Sequence, residues 1–134
     1  MPGVTTVGLV FAAAAALIHV YIFVLESLRF DQPATWKVFG VKGPEAAEVI
    51  RPWAFNQGFY NLFLGLGAAL GVFLCAFNRQ GTTAYVRGAA IALFCCAVMV
   101  AAALVLLVTD RRKARAALVQ GLAPALAVAF LLVG

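Results

Sequence analysis

Histidine occurs once in this chain, and cysteine three times without a CxxC spacing. There is no CxxCH, no HxxxH and no second imidazole. Covalent haem attachment, a helical zinc pair and a thiolate metal site are therefore not indicated. Cys75, Cys95 and Cys96 are odd in number and lie in apolar runs, so no disulfide framework is indicated either. Adjacent Cys95 and Cys96 would point about 100° apart on a helix, poor geometry for one shared ion. Small buried residues at helix contacts are the better account of all three.

Charge is also scarce. Charged residues make up 11% of the chain and hydrophobic residues 65%, with a mean hydropathy of +1.02. A soluble domain of 134 residues with that balance would expose large apolar patches. Four runs are instead long enough for membrane helices, which need about 20 residues: 6–28, 53–77, 88–108 and 116–133. Every backbone group needs a partner in lipid, so such runs read as helices. The first run lacks the basic start of a signal peptide and exceeds a typical signal core, so it reads as a retained helix. The expected fold is all-α: an integral membrane four-helix bundle forming a single domain over 1–134.

Basic residues are unevenly placed. Arg29, Lys37, Lys42 and Arg51 lie between spans one and two, and Arg111, Arg112, Lys113 and Arg115 between spans three and four. The opposite side has Arg79 and Arg87. This asymmetry predicts cytoplasmic loops at 29–52 and 109–115, with both termini outside. It argues against the dual insertion used by some exporters of this size. The net charge of +5 is then a matter of topology and anionic lipid rather than nucleic acid.

The connection between the first two spans is patterned. Pro33 to Gly40 carries Trp36 and Phe39 three apart with Lys37 between them, which suits a short amphipathic interfacial segment. Gly43, Pro44, Glu45 and Glu48 read as a helix start. Glu48 and Arg51 are spaced to pair, and Pro52 is expected to begin or kink the second span. Pro124 is a candidate kink in the fourth.

Polar residues within the membrane concentrate in the first hairpin. His19 and Glu26 are seven apart, so they share one stripe, about 20° apart around the helix and ~10 Å along it. Span two begins Trp53-Ala-Phe-Asn56-Gln57-Gly58-Phe-Tyr60-Asn61. Its four polar groups cover an arc of ~140° with Trp53 inside it. Ionisable residues in membrane helices are costly and mark function by default. The expected site is therefore one cavity lined by His19, Glu26, Asn56, Gln57, Tyr60 and Asn61. Trp36, Phe39 and Trp53 are its expected cover. Ala12, Ala15 and Ala16 continue the first stripe and Gly67 and Gly71 the second, so these small residues are expected at a close contact between spans one and two. Packing explains each polar group singly: amides bond across helix interfaces, and Glu26 can reach the headgroups beside Arg29.

The spaced pattern His19 to Glu26, Trp36-Lys-Val-Phe39 and Asn56-Gln57-Gly58-Phe-Tyr60-Asn61 resembles a bacterial family of small four-span membrane proteins, domain of unknown function 1304. The resemblance covers nearly the whole chain and implies the four-helix architecture and, the family being bacterial, a multi-pass place in the inner membrane. It implies no activity, substrate or catalytic residue.

Three functions are compatible with these residues. One is binding or translocation of a small molecule, with proton exchange at Glu26 or His19, since burial disfavours the charged form of both. Four short helices enclose little volume, so a transport path calls for a homo-oligomer. The second is an intramembrane enzyme or cofactor protein, with His19 as an axial haem ligand or Glu26 and Tyr60 as an acid–base pair. A zinc site would have one histidine plus oxygens, a weak set. The third is a partner subunit that docks another membrane protein.

Overall fold

The computed structural model describes residues 2–134, with α1 at Pro2–Phe23, α2 at Pro33–Phe39, α3 at Pro44–Ala76, α4 at Thr83–Thr109 and α5 at Ala114–Val133. No strand occurs among the described residues. Four helical stretches are long and apolar enough to cross a membrane: Gly3–Leu28, Pro44–Ala76, Thr83–Thr109 and Arg111–Val133. They pack in a ring, α1 on α3, α3 on α4, α4 on α5 and α5 back on α1. Both chain ends therefore lie at one end of the bundle, and the two basic segments at the other.

The interior is built from small side chains. Ala12, Ala15, Ala16, Ala68, Ala92, Cys96, Met99 and Ala127 are buried together, so the expected alanine stripe of α1 faces inward. Small residues let helix backbones approach where lipid gives no hydrophobic drive to associate. Glycines mark the tightest crossings. A Cβ on Gly71 would stand 2.7 Å from the Gly88 carbonyl oxygen, and one on Gly88 2.8 Å from that of Gly71. These two residues set the α3–α4 crossing. Gly65 does the same for α1, where an added Cβ would meet the Ala16 carbonyl oxygen at 2.9 Å. The expectation for Gly67 and Gly71 is corrected here. Gly67 faces Cys95 of α4, because the α3 face toward the first span is the stripe Gly58, Asn61, Gly65 and Ala68.

α2 forms between Pro33 at its first position and Gly40, whose φ of 69° closes the helix in the left-handed region. Trp36 Nε1 donates to the Phe30 carbonyl at 2.6 Å. Phe30, Ala47 and Ala54 are buried against Trp36, Phe39 and Val41, so the connection carries a small core of its own.

α3 differs most from expectation. It starts at Pro44, as the Gly-Pro-Glu pattern predicts, but passes through Pro52 without a break. Its 33 residues span about 50 Å at 1.5 Å each, well beyond a hydrocarbon core of ~30 Å. The N-terminal turns therefore stand above the membrane at the basic end. Pro52 removes one backbone hydrogen bond, at a position where the freed Glu48 carbonyl lies near water. Glu48 and Arg51 form no ion pair among the described residues; the pair found there joins Arg112 Nε to Asp110 Oδ1 at 3.0 Å. Asp110 also accepts the Arg112 backbone N–H at 3.1 Å. The Arg112 hydrogen bond holds its carboxyl below the usual range. This capping starts the short 3-10 turn Arg111–Lys113 that leads into α5.

Candidate functional site

The last turn of the first span is wound differently from the rest. Val24–Leu28 is a π turn, closed by the Arg29 N–H on the Val24 carbonyl at 2.9 Å. Such turns are rare and often occur at functional sites. Neighbours on an α-helix point about 100° apart, and the wider winding closes that angle. Glu26 and Ser27 both reach α3 as a result. Ser27 Oγ donates to the Phe55 carbonyl at 2.8 Å and lies against Gly58, where any Cβ would collide with it. Glu26 Oε2 accepts from Asn61 Nδ2 at 2.8 Å. The same Asn61 nitrogen contacts the Gln57 carbonyl at 3.3 Å.

Beside this pair opens a cleft of about 190 Å³ lined by Glu26, Ser27, Leu28, Phe30, Asp31, Arg51 and Phe55. Glu26 is half-buried, while Asp31 and Arg51 are exposed. The three ionisable side chains share the cleft, yet none of them pairs with another among the described residues. A second cavity, about 380 Å³ and mostly apolar, lies at the other end of the bundle between α1 and α3, where Thr6, Val72 and Tyr85 line it.

Of the six expected site residues, Glu26 and Asn61 come together. His19 is 2% exposed, and its Nδ1 donates to the Ala15 carbonyl of its own helix at 2.9 Å. It packs near Gly65, about two turns from Glu26, and lines neither cavity described above. An axial haem ligand would need open space at that ring. Asn56, Gln57 and Tyr60 are exposed on the flank of α3, Tyr60 at 58%. Their arc is offset from the small-residue stripe that packs on α1, and Asn61 alone belongs to both. Trp53 is 76% exposed on the same flank. Trp36 and Phe39 support the cleft indirectly by packing on Phe30.

Six residues of the cleft were not expected at the site from the sequence: Ser27, Leu28, Phe30, Asp31, Arg51 and Phe55. The available signal was Gly58, seven residues before Gly65 and so on the same stripe of α3. A glycine there implies close approach by whatever faces it.

Comparison with known proteins gives one match. The sequence model of a family described as "Protein of unknown function (DUF1304)" matches residues 13–132. No curated protein and no solved structure matches the chain.

Proposed function

The chain belongs to the DUF1304 family of proteins of unknown function, and we propose that it is a membrane protein that binds a small molecule beside Glu26, with this carboxyl as the proton-exchanging group. One observation carries this reading: Glu26 sits in a π turn, at a cleft, with Asn61 as its hydrogen-bonding partner. An ionised carboxylate offers about four acceptor sites. Asn61 occupies Oε2, and the cleft leaves room for a ligand at the rest. An ionisable group in a membrane span is costly to keep without a use.

Binding is favoured over passage through a single copy. The space between the four helices is filled by alanine, cysteine and methionine. Proton exchange is assigned to Glu26 rather than His19, whose ring is enclosed and bonded within its own helix.

Reaction with a hydrophobic carbodiimide tests the reading, since this reagent modifies protonated carboxyls in apolar surroundings. Glu26 should be labelled increasingly as pH falls, and Glu26→Gln should abolish that labelling. A small molecule retained by the wild-type protein in native mass spectra should be lost from the same variant. Absence of labelling at Glu26 at every pH, with identical retention by both proteins, would remove the proposal.

A second reading, docking to another membrane protein, draws on the exposed flank of α3. Trp53, Asn56, Gln57 and Tyr60 lie within about 100° of arc there and point away from the bundle. A stoichiometric partner that co-purifies with the wild-type protein and is lost from Asn56→Leu/Tyr60→Leu would favour it.

A further inference from the structure

We propose that the ligand of the Glu26 cleft is a phosphoethanolamine group, a primary ammonium joined to a phosphate, carried by a zwitterionic phospholipid. This rests on the binding reading above and names the chemistry of that site.

The charge pattern is the first reason. Glu26 and Asp31 supply carboxylates and Arg51 a guanidinium around one cleft. Within the described residues they do not neutralise one another: Glu26 is bonded to Asn61, and neither acid forms an ion pair with Arg51. Opposite charges held around one cleft without closing on each other fit a ligand that carries both signs. A primary ammonium has three N–H donors for the carboxylates. A guanidinium takes a phosphate through two parallel hydrogen bonds.

Depth is the second reason. The cleft lies where the first span ends. About 20 residues counted back from Ala76 cover a hydrocarbon core, which leaves Arg51 in the headgroup region and Phe55 near the boundary. Leu28 and Phe55 are both exposed and form the apolar wall along which the first carbons of acyl chains would run. The cleft, about 190 Å³ and open to one side, has room for a compact headgroup with the acyl chains left outside it.

The same chemistry predicts selectivity. A choline headgroup keeps the charges but has no N–H to donate. A phosphatidylglycerol headgroup keeps the phosphate but has no cation for Glu26 and Asp31. Free phosphoethanolamine presents the same ammonium beside a phosphate, there a monoester, without the acyl chains, so it separates the two sources of this chemistry.

The test uses the full chain in a neutral detergent, with dioleoyl phosphatidylethanolamine, phosphatidylcholine and phosphatidylglycerol added singly, and soluble phosphoethanolamine as a fourth arm. Binding is read by native mass spectrometry and by thermal shift. Phosphatidylethanolamine is expected to bind about tenfold more tightly than the other two lipids. Arg51→Gln and Asp31→Asn lie at exposed positions and should fold, as circular dichroism will check, yet each should abolish that preference. Equal affinity for the three lipids, or a preference unchanged in both variants, would overturn the proposal. Soluble phosphoethanolamine that binds as tightly as the lipid would overturn the assignment to a phospholipid. If lipid selectivity is absent while Glu26 still reacts with carbodiimide in a pH-dependent way, the headgroup assignment fails and the binding reading stands.

Discussion

Asn61 of α3 donates its side-chain amide to the Glu26 carboxylate of the π turn that ends the first span, across 2.8 Å, and this bond joins the two spans at the mouth of the cleft. Hydrogen bonds between membrane helices are typically worth about 1–2 kcal/mol or less. Asn61→Leu should lower stability by roughly that amount. Glu26→Gln should cost less, because a glutamine carbonyl accepts the same bond. The double variant should be less destabilised than the sum of the two singles, which thermal unfolding in detergent will measure as a double-mutant cycle. Strict additivity would mean that the two groups are not energetically coupled.

The glycine contacts give a second prediction. An alanine at Gly88 would press its Cβ on the Gly71 carbonyl and on Leu74, while one at Gly67 would meet the sulfur of Cys95. A backbone carbonyl at a helix crossing yields only if the helices separate, whereas a side chain can turn. Overpacking of this kind costs about 1–3 kcal/mol. Gly88→Ala should therefore lower the melting temperature more than Gly67→Ala. Equal melting temperatures would show that the α3–α4 crossing relaxes freely.

Long apolar runs made the four spans legible, because span length is set by the thickness of the bilayer. α2 was legible as a short amphipathic segment, from Trp36 and Phe39 three apart. The full length of α3 was not, since Pro52 reads as a boundary in sequence while its cost depends on whether the Glu48 carbonyl is near water. In the candidate site, Glu26 and Asn61 were legible as polar groups at matching depth on adjacent helices. Asn56, Gln57 and Tyr60 read as inward because polar groups generally avoid lipid. The facing of α3 is instead decided by Gly58, Gly65 and Ala68, whose small size allows contact with the first span, and the polar flank is left facing outward. Arg51 and Asp31 looked like loop charges, and only the packing of α2 and the start of α3 brings them to one cleft. The π turn has no periodicity of its own; it depends on Ser27 meeting Gly58 and the Phe55 carbonyl.

Asp110 gives a pH prediction outside the membrane spans. Its folded-state carboxyl lies below the ordinary value of 3.8, chiefly through the hydrogen bond from Arg112. A depressed carboxyl stabilises the fold above its unfolded value, and that contribution is lost as pH falls through the folded value. Because the pair lies at the surface, with Arg112 itself exposed, the effect should be small and weakened by salt. Asp110→Asn keeps an acceptor for the Arg112 backbone N–H but removes the titration. The wild-type melting temperature should therefore fall more than that of Asp110→Asn as pH drops below about 4. Parallel curves would show that the unfolded chain holds the same pairing.

Orientation is the last prediction. Arg111, Arg112 and Lys113 crowd the turn between α4 and α5 and Arg115 follows in the first turn of α5, and Arg29, Lys37, Lys42 and Arg51 lie at the same end of the bundle. Moving such segments across a bilayer is disfavoured, and an excess of lysine and arginine marks the cytoplasmic side. The short turn before α4, which contains Thr82, should then be outside with both chain ends. Cys75, Cys95 and Cys96 are buried, so single cysteines introduced at Lys113 and at Thr82 can be labelled against a quiet background. A membrane-impermeant maleimide added to intact cells should label Thr82→Cys strongly and Lys113→Cys only after the membrane is permeabilised. Labelling of Lys113→Cys in intact cells would reverse the orientation and place the Glu26 cleft on the outer leaflet, since Glu26 and Lys113 lie toward the same end of the bundle.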